Sequence, residues 1–171
     1  MKDLTNATFI IPIKIESEDR LRNVLTVLYF LLNNFDTNII VKEVDTKSVF
    51  STDVLPLLKN AEDINLAKLT HIFEESNDPV FYRMHILNDM LSKAKTKIII
   101  NYDCDVLLPI ESYTTAYSSI LSGQYDLIYP YGQGVYQYQV NATDELVNQF
   151  IDSEFDFNIL VNNSNESTSD F

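Results

Sequence analysis

The amino-acid sequence predicts an α/β protein with a doubly wound, mostly parallel sheet and helices on both faces. Apolar runs rich in β-branched residues alternate along the chain with longer segments whose apolar residues recur at helical spacing. Parallel strands cannot be joined by tight turns, so strands that alternate with helices favour a parallel sheet with helical crossovers. Two aspartates directly after one strand-like run add an expected binding site at the carboxyl edge of that sheet.

The first half of the chain predicts three strands and one helix. Residues 7–13 (ATFIIPI) form a buried strand, with Pro12 near its end, where a lost hydrogen bond matters least. Residues 20–34 place apolar side chains at helical spacing, which predicts an amphipathic helix. Second and third strands are predicted at residues 38–44 and 70–73.

A second helix is predicted to begin after Asp78, a good N-cap residue, with Pro79 at its first helical position. Apolar residues then recur at spacings of four and three, as one continuous stripe that we expect to face the sheet. The members of this stripe are Val80, Met84, Leu87, Leu91 and Ala94.

The remaining elements are a strand at residues 97–101, a helix from Pro109 to a C-terminal cap at Gly123, and a strand at residues 126–130. A further helix is predicted at residues 143–152. We interpret residues 1–160 as one domain and residues 161–171 as a polar tail or truncation point.

Composition narrows the classes of function. A hydrophobic content of 46% supports a globular core, and the formal net charge of −13 weighs against a nucleic-acid partner. The longest apolar run, residues 24–32, is far shorter than the roughly 20 residues that span a bilayer, and no leader precedes it, so we expect a cytoplasmic protein without a transmembrane segment. The single cysteine, Cys104, excludes an internal disulfide. Both histidines, His71 and His85, are expected to be structural or surface residues.

Asp103 and Asp105 are the strongest candidates for a functional site. In an extended backbone residues i and i+2 point to the same side, so both carboxylates can reach one point while Cys104 faces away. Two oxygen ligands suit Mg²⁺ or Mn²⁺, which keep water and phosphate oxygens as further ligands, and the cation would offset the repulsion between the carboxylates. A turn or a helix cap is the alternative interpretation of an Asp-X-Asp motif taken alone.

Three segments together resemble the nucleotide-sugar glycosyltransferases of the GT-A fold, nearest the β-1,4-galactosyltransferase-like and family 2-like branch. FIIPIK at residues 9–14 resembles the first strand of that family, and FYRMHILND at residues 81–89 is similar to its Phe-X-Arg-X-X-X-X-Asn helix. YDCDVLLP at residues 102–109 resembles its metal-binding DXD motif. The resemblance covers residues 7–135 and implies the Rossmann-like, N-terminal donor-binding half of such an enzyme.

The resemblance implies transfer of a sugar from a UDP-sugar donor to a carbohydrate or glycoconjugate acceptor, with Mn²⁺ or Mg²⁺ as cofactor. Asp105 would ligate the metal, and Asp103 would contact the ribose or donor sugar or share the metal. Pro12, Ile13 and Lys14 would line the nucleotide pocket, although Ile13 and Lys14 replace the family's aromatic residue and arginine.

Asp45 resembles an acidic residue that accepts a hydrogen bond from the uracil ring, and Glu43 is its competitor for that role. Arg83 would complement a phosphate or the ribose through its fork of donors, and the alternative is a surface side chain that lies along the apolar stripe. Asn88 would contact the ligand or make a structural hydrogen bond. Arg20 resembles the family's second basic residue if a short insertion is allowed.

Tyrosines in residues 129–138 could stack on a sugar or merely cover a sheet edge. The catalytic base stays unidentified, because this chain contains no Gly-Gly-Glu-Asp-type segment of the kind that carries the base in the resembled family. One alternative is therefore a catalytically incomplete module that binds a nucleotide sugar. Another is a haloacid dehalogenase-like phosphatase with Asp103 as nucleophile, but that pattern has Thr or Val at the position of Leu107 and normally lies on the first strand.

Overall fold

A computed structural model of the chain describes residues 1–61, 64–130 and 136–168. The structure divides into two compact units, Met1–Ile128 and Tyr129–Phe171. The boundary lies well before the residue-160 boundary that was inferred from the sequence. All the residues singled out for nucleotide and metal binding fall within the first unit.

The first unit is built on a four-stranded parallel sheet with the strand order β3-β2-β1-β4. Its strands are β1 (Lys2–Ile13), β2 (Phe35–Asp45), β3 (Leu69–Glu75) and β4 (Ile98–Asn101). The predicted fold class is confirmed. The strands predicted at residues 7–13, 38–44, 70–73 and 97–101 all exist, and the first three extend beyond the predicted bounds.

Four α-helices accompany the sheet: α1 (Glu18–Asn34), α2 (Leu55–Asn60), α3 (Arg83–Lys93) and α4 (Ile110–Leu121). A π-helical turn at Phe50–Val54 leads into α2, and a short 3-10 turn at Leu66–Lys68 precedes β3. Helix α1 begins earlier than predicted because the Ser17 side chain caps it, accepting a hydrogen bond of 3.2 Å from the Arg20 backbone N–H.

Helices cover both faces of the sheet. On one face Ile10 of β1 packs in a buried cluster with Ile86 and Met90 of α3. Phe9, the preceding residue of β1, lies on the opposite face, because neighbouring strand residues alternate. There its ring centroid is 6.2 Å from that of Tyr113 in α4. Tyr113 in turn lies 6.0 Å from Phe30 in α1, so α1 and α4 share this second face.

The predicted start of α3 at Asp78 and Pro79 is wrong. Asp78 uses its Oδ1 atom to accept a hydrogen bond of 2.9 Å from the Val80 backbone N–H, which makes a local turn instead of a helix cap. The helix begins at Arg83, and Tyr82 precedes it without a side-chain cap.

The apolar stripe predicted for this helix is also wrong in most of its members. Val80, Met84 and Leu91 are 53%, 66% and 50% exposed, whereas only Leu87 of the predicted stripe is fully buried. The buried face instead comprises Ile86, Leu87 and Met90, with Phe81 and Ala94 packed against it.

Helix α4 ends at Leu121, two residues before the predicted cap Gly123, whose φ of +75° is readily adopted by glycine. The Gly123 N–H donates to the Ile120 carbonyl (3.0 Å) and the Gln124 N–H donates to the Ser119 carbonyl (3.1 Å), which is a Schellman cap. The strand predicted at residues 126–130 does not form: this segment has no regular structure, and Leu127 is exposed.

In the second unit, β5 (Tyr136–Val140) pairs antiparallel with β6 (Ser164–Thr168), and α5 (Asp144–Asp152) and α6 (Phe157–Asn162) lie between them in sequence. Helix α5 confirms the helix predicted at residues 143–152. Strand β6 lies in the segment that was interpreted as a tail. Residues 131–135 of the tyrosine-rich segment, one basis of the predicted sugar contact, fall outside the described residues.

Across the described parts of both units, no helix combines the length and apolar character needed to cross a membrane.

Candidate functional site

The candidate site lies where the strand order of the sheet reverses. The chain proceeds from β1 to β2 and β3 on one side, and β4 then pairs with the other side of β1. In open parallel sheets this reversal leaves a crevice beyond the carboxyl ends of the two strands on either side of it, here β1 and β4, and such a crevice is the usual ligand site. Lys14 directly follows β1, and Asp103 and Asp105 follow β4 within four residues of its end.

The segment after β4 alternates between buried and exposed side chains. Tyr102 and Cys104 are buried, whereas Asp103 and Asp105 are exposed. The Tyr102 backbone N–H donates to the Ile10 carbonyl at 3.1 Å, so the end of this segment stays attached to β1. The alternation leaves both carboxylates accessible to a ligand while the intervening residues anchor the loop.

Arg83 already contacts one of the two aspartates. Its Nη2 atom lies 2.6 Å from Asp103 Oδ1 and 3.2 Å from Asn101 Oδ1. Because the side chains of Arg83 and Asp103 are 38% and 55% exposed, solvent screens this ion pair, and its net contribution to stability is about 0 to 1 kcal/mol. Asn101 was not predicted from the sequence, although a polar residue at the last position of a buried strand was a usable signal.

Arg20 approaches the same loop from α1. Its Nη1 atom lies 3.8 Å from Cys104 Sγ. Burial raises the pKa of the Cys104 thiol, and the charge of Asp105 adds to the effect, so this cysteine is a protonated packing residue at neutral pH. Arg20 and Arg83 belong to helices on opposite faces of the sheet, so a guanidinium reaches the aspartate loop from each face.

Pro12 and Ile13 at the end of β1 are buried, and in the parallel register they oppose Lys42 and Glu43 of β2. Their side chains therefore belong to the interior, and only the backbone at this strand end is available to the predicted nucleotide pocket. Burial was foreseeable for an apolar residue that continues a buried strand.

Lys14 is the first residue of this edge with an accessible charged group. Its Nζ atom lies 2.9 Å from Glu16 Oε1. This hydrogen bond raises the pKa of Lys14, and the charge of Asp45 raises it further. The ends of β1 and β2 thus bring the charges of Lys14 and Asp45 close enough to influence each other.

Asp45 is the last residue of β2 and is partly engaged in a turn. Its Oδ1 atom accepts a hydrogen bond of 2.7 Å from the Thr46 backbone N–H, and its carbonyl accepts one of 3.0 Å from the Ser76 N–H. The carboxylate is half-buried at the carboxyl edge of the sheet, on the strand next to β1.

Glu43, the alternative to Asp45, is fully buried and has a structural role. It accepts hydrogen bonds from Ser48 Oγ at 2.5 Å and from the Phe50 N–H at 3.0 Å. Burial opposes ionisation of Glu43, but His71, Ser48 and the Phe50 N–H together outweigh it and lower the pKa of the carboxyl. His71 Nε2 lies 3.3 Å from Glu43 Oε2, without the angle of a hydrogen bond, and its ring stacks on Phe50 at 4.2 Å. His71 is accordingly a structural residue.

Asn88 is exposed on α3, and none of the hydrogen bonds found among the described residues joins it to Arg83 or to the aspartate loop. Its neighbour Asp89 has a clear structural role that sequence reasoning missed. Asp89 Oδ2 lies 2.7 Å from the buried Lys42 Nζ, which also lies 2.6 Å from Glu74 Oε2. The hydrogen bond from Lys42, with one from Lys93, lowers the pKa of Asp89 to about 2. This pair fixes α3 against β2.

Two aspartates are a sparse metal site. In residues 1–61, 64–130 and 136–168, no group of three or more His, Cys, Asp or Glu residues could hold a metal ion. The donor set therefore does not suit a closed structural site such as that of zinc. Two accessible carboxylates do suit Mg²⁺ or Mn²⁺, which retain water and take phosphate oxygens from a ligand.

No protein-family model and no curated protein matches this chain. The fold and the site define a class: a parallel α/β protein with an acidic loop at its topological switch point and arginines on both sides of that loop.

Proposed function

We propose that this chain is the donor-binding domain of a GT-A-type glycosyltransferase that transfers a sugar from a UDP-sugar to a carbohydrate or glycoconjugate acceptor, with Mn²⁺ or Mg²⁺ as cofactor. The main support is the position of Asp103 and Asp105: both are exposed directly beyond β4, at the reversal of strand order, with Arg83 and Arg20 beside their loop. The three-segment resemblance described above adds the specific reaction.

The roles of the side chains follow from their charges. Asp103 and Asp105 would hold the cation, which when bound supplies positive charge against the leaving diphosphate. The planar fork of Arg83 matches phosphate oxygens as well as the carboxylate it now contacts. A protein of net charge −13 repels an anionic donor over most of its surface. The bound cation, together with Arg20, Arg83 and Lys14, would supply the local positive charge that offsets the carboxylates at this edge.

The nucleoside would lie over the ends of β1 and β2. Asp45 Oδ1 is engaged by its own turn, and its second carboxylate oxygen is the acceptor we assign to the uracil N–H. The buried side chains of Pro12 and Ile13 leave their backbone to shape this part of the pocket.

Isothermal titration calorimetry of UDP with and without Mn²⁺ tests donor binding. Wild-type protein should bind UDP only when Mn²⁺ is present. Asp105→Asn should fail to bind UDP even with Mn²⁺, while its free energy of unfolding stays that of the wild type. Glu111→Gln is the matched control, because it removes one negative charge from an exposed residue a few positions downstream of the motif. Unchanged UDP affinity in Asp105→Asn, or metal-independent UDP binding by the wild type, would contradict the proposal.

Product analysis separates the alternatives. Release or transfer of sugar from a UDP-sugar supports an active transferase, and tight binding without turnover supports a catalytically incomplete binding module. The phosphatase alternative predicts capture of beryllofluoride at Asp103. The structure disfavours it, because the motif follows the fourth strand of the sheet in sequence order instead of the first.

A further inference from the structure

A chain of three hydrogen bonds ties the loop that contains the two aspartates to α4. The Leu108 backbone N–H donates to Tyr113 Oη at 3.0 Å, and the Tyr113 and Tyr102 hydroxyls are hydrogen-bonded to each other. The Tyr102 hydroxyl donates to the Val106 carbonyl at 2.7 Å. The chain therefore begins and ends in the same loop, at residues two positions apart.

The proton count fixes the direction of this chain. Each phenol has one proton. The Tyr102 hydroxyl donates its proton to the Val106 carbonyl, so in the hydrogen bond between the two hydroxyls Tyr113 is the donor. The Tyr113 oxygen also accepts a hydrogen bond from the Leu108 N–H. Every group in the sequence Leu108 N–H, Tyr113, Tyr102 and Val106 carbonyl is satisfied, and hydrogen bonds in such a chain strengthen one another.

The surroundings hold both phenols in place. Both tyrosines are buried, and the Tyr102 ring meets Phe9 edge to face at 5.3 Å. The Tyr113 ring lies 5.0 Å from that of Phe35. Burial raises the pKa of Tyr113 to about 12, so its proton stays available at neutral pH. Packing against the rings of Phe9 and Phe35 thus holds the two hydrogen-bonded tyrosines in place on the face of the sheet that α1 and α4 cover.

We propose that Tyr102 and Tyr113 are positioning residues that set the geometry of Asp103 and Asp105. The bond from Tyr102 to Val106 closes a short ring around the two aspartates, and the bond from Leu108 to Tyr113 fixes the exit of the loop. Neither phenol would touch the ligand. Their action on metal and diphosphate binding rests on the proposed function, whereas their action on the loop does not.

Tyr113→Phe and Tyr102→Phe test the proposal with two readouts. Amide hydrogen exchange at Leu108, measured by NMR on ¹⁵N-labelled protein, should become at least about tenfold faster in Tyr113→Phe, because the amide loses its buried acceptor. The affinity for UDP in saturating Mn²⁺ should fall roughly tenfold in both variants, the size expected for the loss of one buried hydrogen bond.

Tyr117→Phe is the matched control. Tyr117 lies one turn further along α4, and its hydroxyl accepts a long hydrogen bond of 3.4 Å from the Asn6 N–H, away from the loop. It should leave both readouts unchanged. Ile11→Val controls for general destabilisation, because it shortens a core side chain of β1 and spares the hydrogen-bond chain.

The outcomes are distinguishable. Leu108 exchange that stays at the wild-type rate in Tyr113→Phe, or that rises equally in Ile11→Val, overturns the positioning role. Wild-type protein that fails to bind UDP with Mn²⁺ overturns the proposed function instead, and the Leu108 exchange rates still decide whether the phenols order the loop.

Discussion

Replacement of Arg83 by alanine should change the affinities for metal and for nucleotide in opposite directions. In the ligand-free protein Arg83 competes with any cation for Asp103, because its Nη2 atom lies 2.6 Å from Oδ1. With UDP present, the same guanidinium is free to bind a phosphate once the metal has taken the carboxylate. Arg83→Ala should therefore bind Mn²⁺ alone more tightly and UDP with Mn²⁺ more weakly.

The size of each effect follows from the exposure of the pair. Two unit charges 2.6 Å apart attract by about 1.6 kcal/mol at the dielectric constant of water, and conformational entropy reduces the net value to about 1 kcal/mol or less. Tightening of Mn²⁺ binding should thus reach about fivefold at most. Loss of a charge-assisted hydrogen bond to phosphate is worth about 1.5 to 3 kcal/mol, so UDP affinity should fall roughly 10-fold to 150-fold.

Electron paramagnetic resonance of free Mn²⁺ measures the first affinity, and calorimetry measures the second. Lys68→Ala is the matched control: Lys68 and Asp36 form an ion pair of similar exposure, 36% and 45%, near the start of β2, at the other end of that strand from the site. Weaker Mn²⁺ binding in Arg83→Ala, or equal changes in both variants, would refute the competition between Arg83 and the cation.

Three further predictions concern stability and reactivity. Asp89→Asn should flatten the loss of stability between about pH 4 and pH 2. The pKa of Asp89 in the folded protein, about 2, lies below its ordinary value of 3.8, so the pair with Lys42 contributes fully above pH 4 and is lost as acid protonates the carboxylate. The contribution is about 1 to 2 kcal/mol after solvent screening, and urea titrations at several pH values can measure it. Glu43→Gln should lower the free energy of unfolding by about 3 kcal/mol in urea denaturation, because a neutral amide replaces the buried carboxylate that accepts hydrogen bonds from Ser48 and from the Phe50 N–H. A loss below about 1 kcal/mol would contradict this role. Cys104 should react with iodoacetamide at least about tenfold more slowly in the folded protein than in urea, as mass spectrometry can measure, since burial raises its pKa; equal rates would show an accessible thiol.

The centre of the sheet could be predicted from sequence because β1 and β2 contain apolar runs whose consecutive residues are buried on both faces of the sheet. The orientation of α3 could not. Residues 80–94 contain two overlapping apolar stripes that share Leu87 and Ala94. The choice between the stripes depends on where the helix begins and on the ion pair of Asp89 with Lys42, 47 residues away in sequence. The segment at residues 126–130 has the composition of a strand but finds no partner in the sheet.

The site was predictable to the extent that its residues follow a strand directly. Asp103 and Asp105 could be placed at the carboxyl edge from the strand that precedes them. The contacts of Arg20 with Cys104 and of Tyr102 with Tyr113 depend on how α1 and α4 pack, which local patterns do not specify.

The two aspartates are electrostatically unequal, and this asymmetry predicts different roles for them. Asp103 is already neutralised in part by Arg83, whereas no ion pair in the described part of the chain engages the Asp105 carboxylate. A cation therefore gains more from Asp105, since at Asp103 it must displace a guanidinium. Asp105→Asn should weaken Mn²⁺ binding at least about tenfold, and Asp103→Asn should weaken it less, because part of what the cation gains at Asp103 is offset by the lost contact with Arg83. If Mn²⁺ titrations give equal losses for both variants, the carboxylates are equivalent ligands and the ion pair does not influence the site.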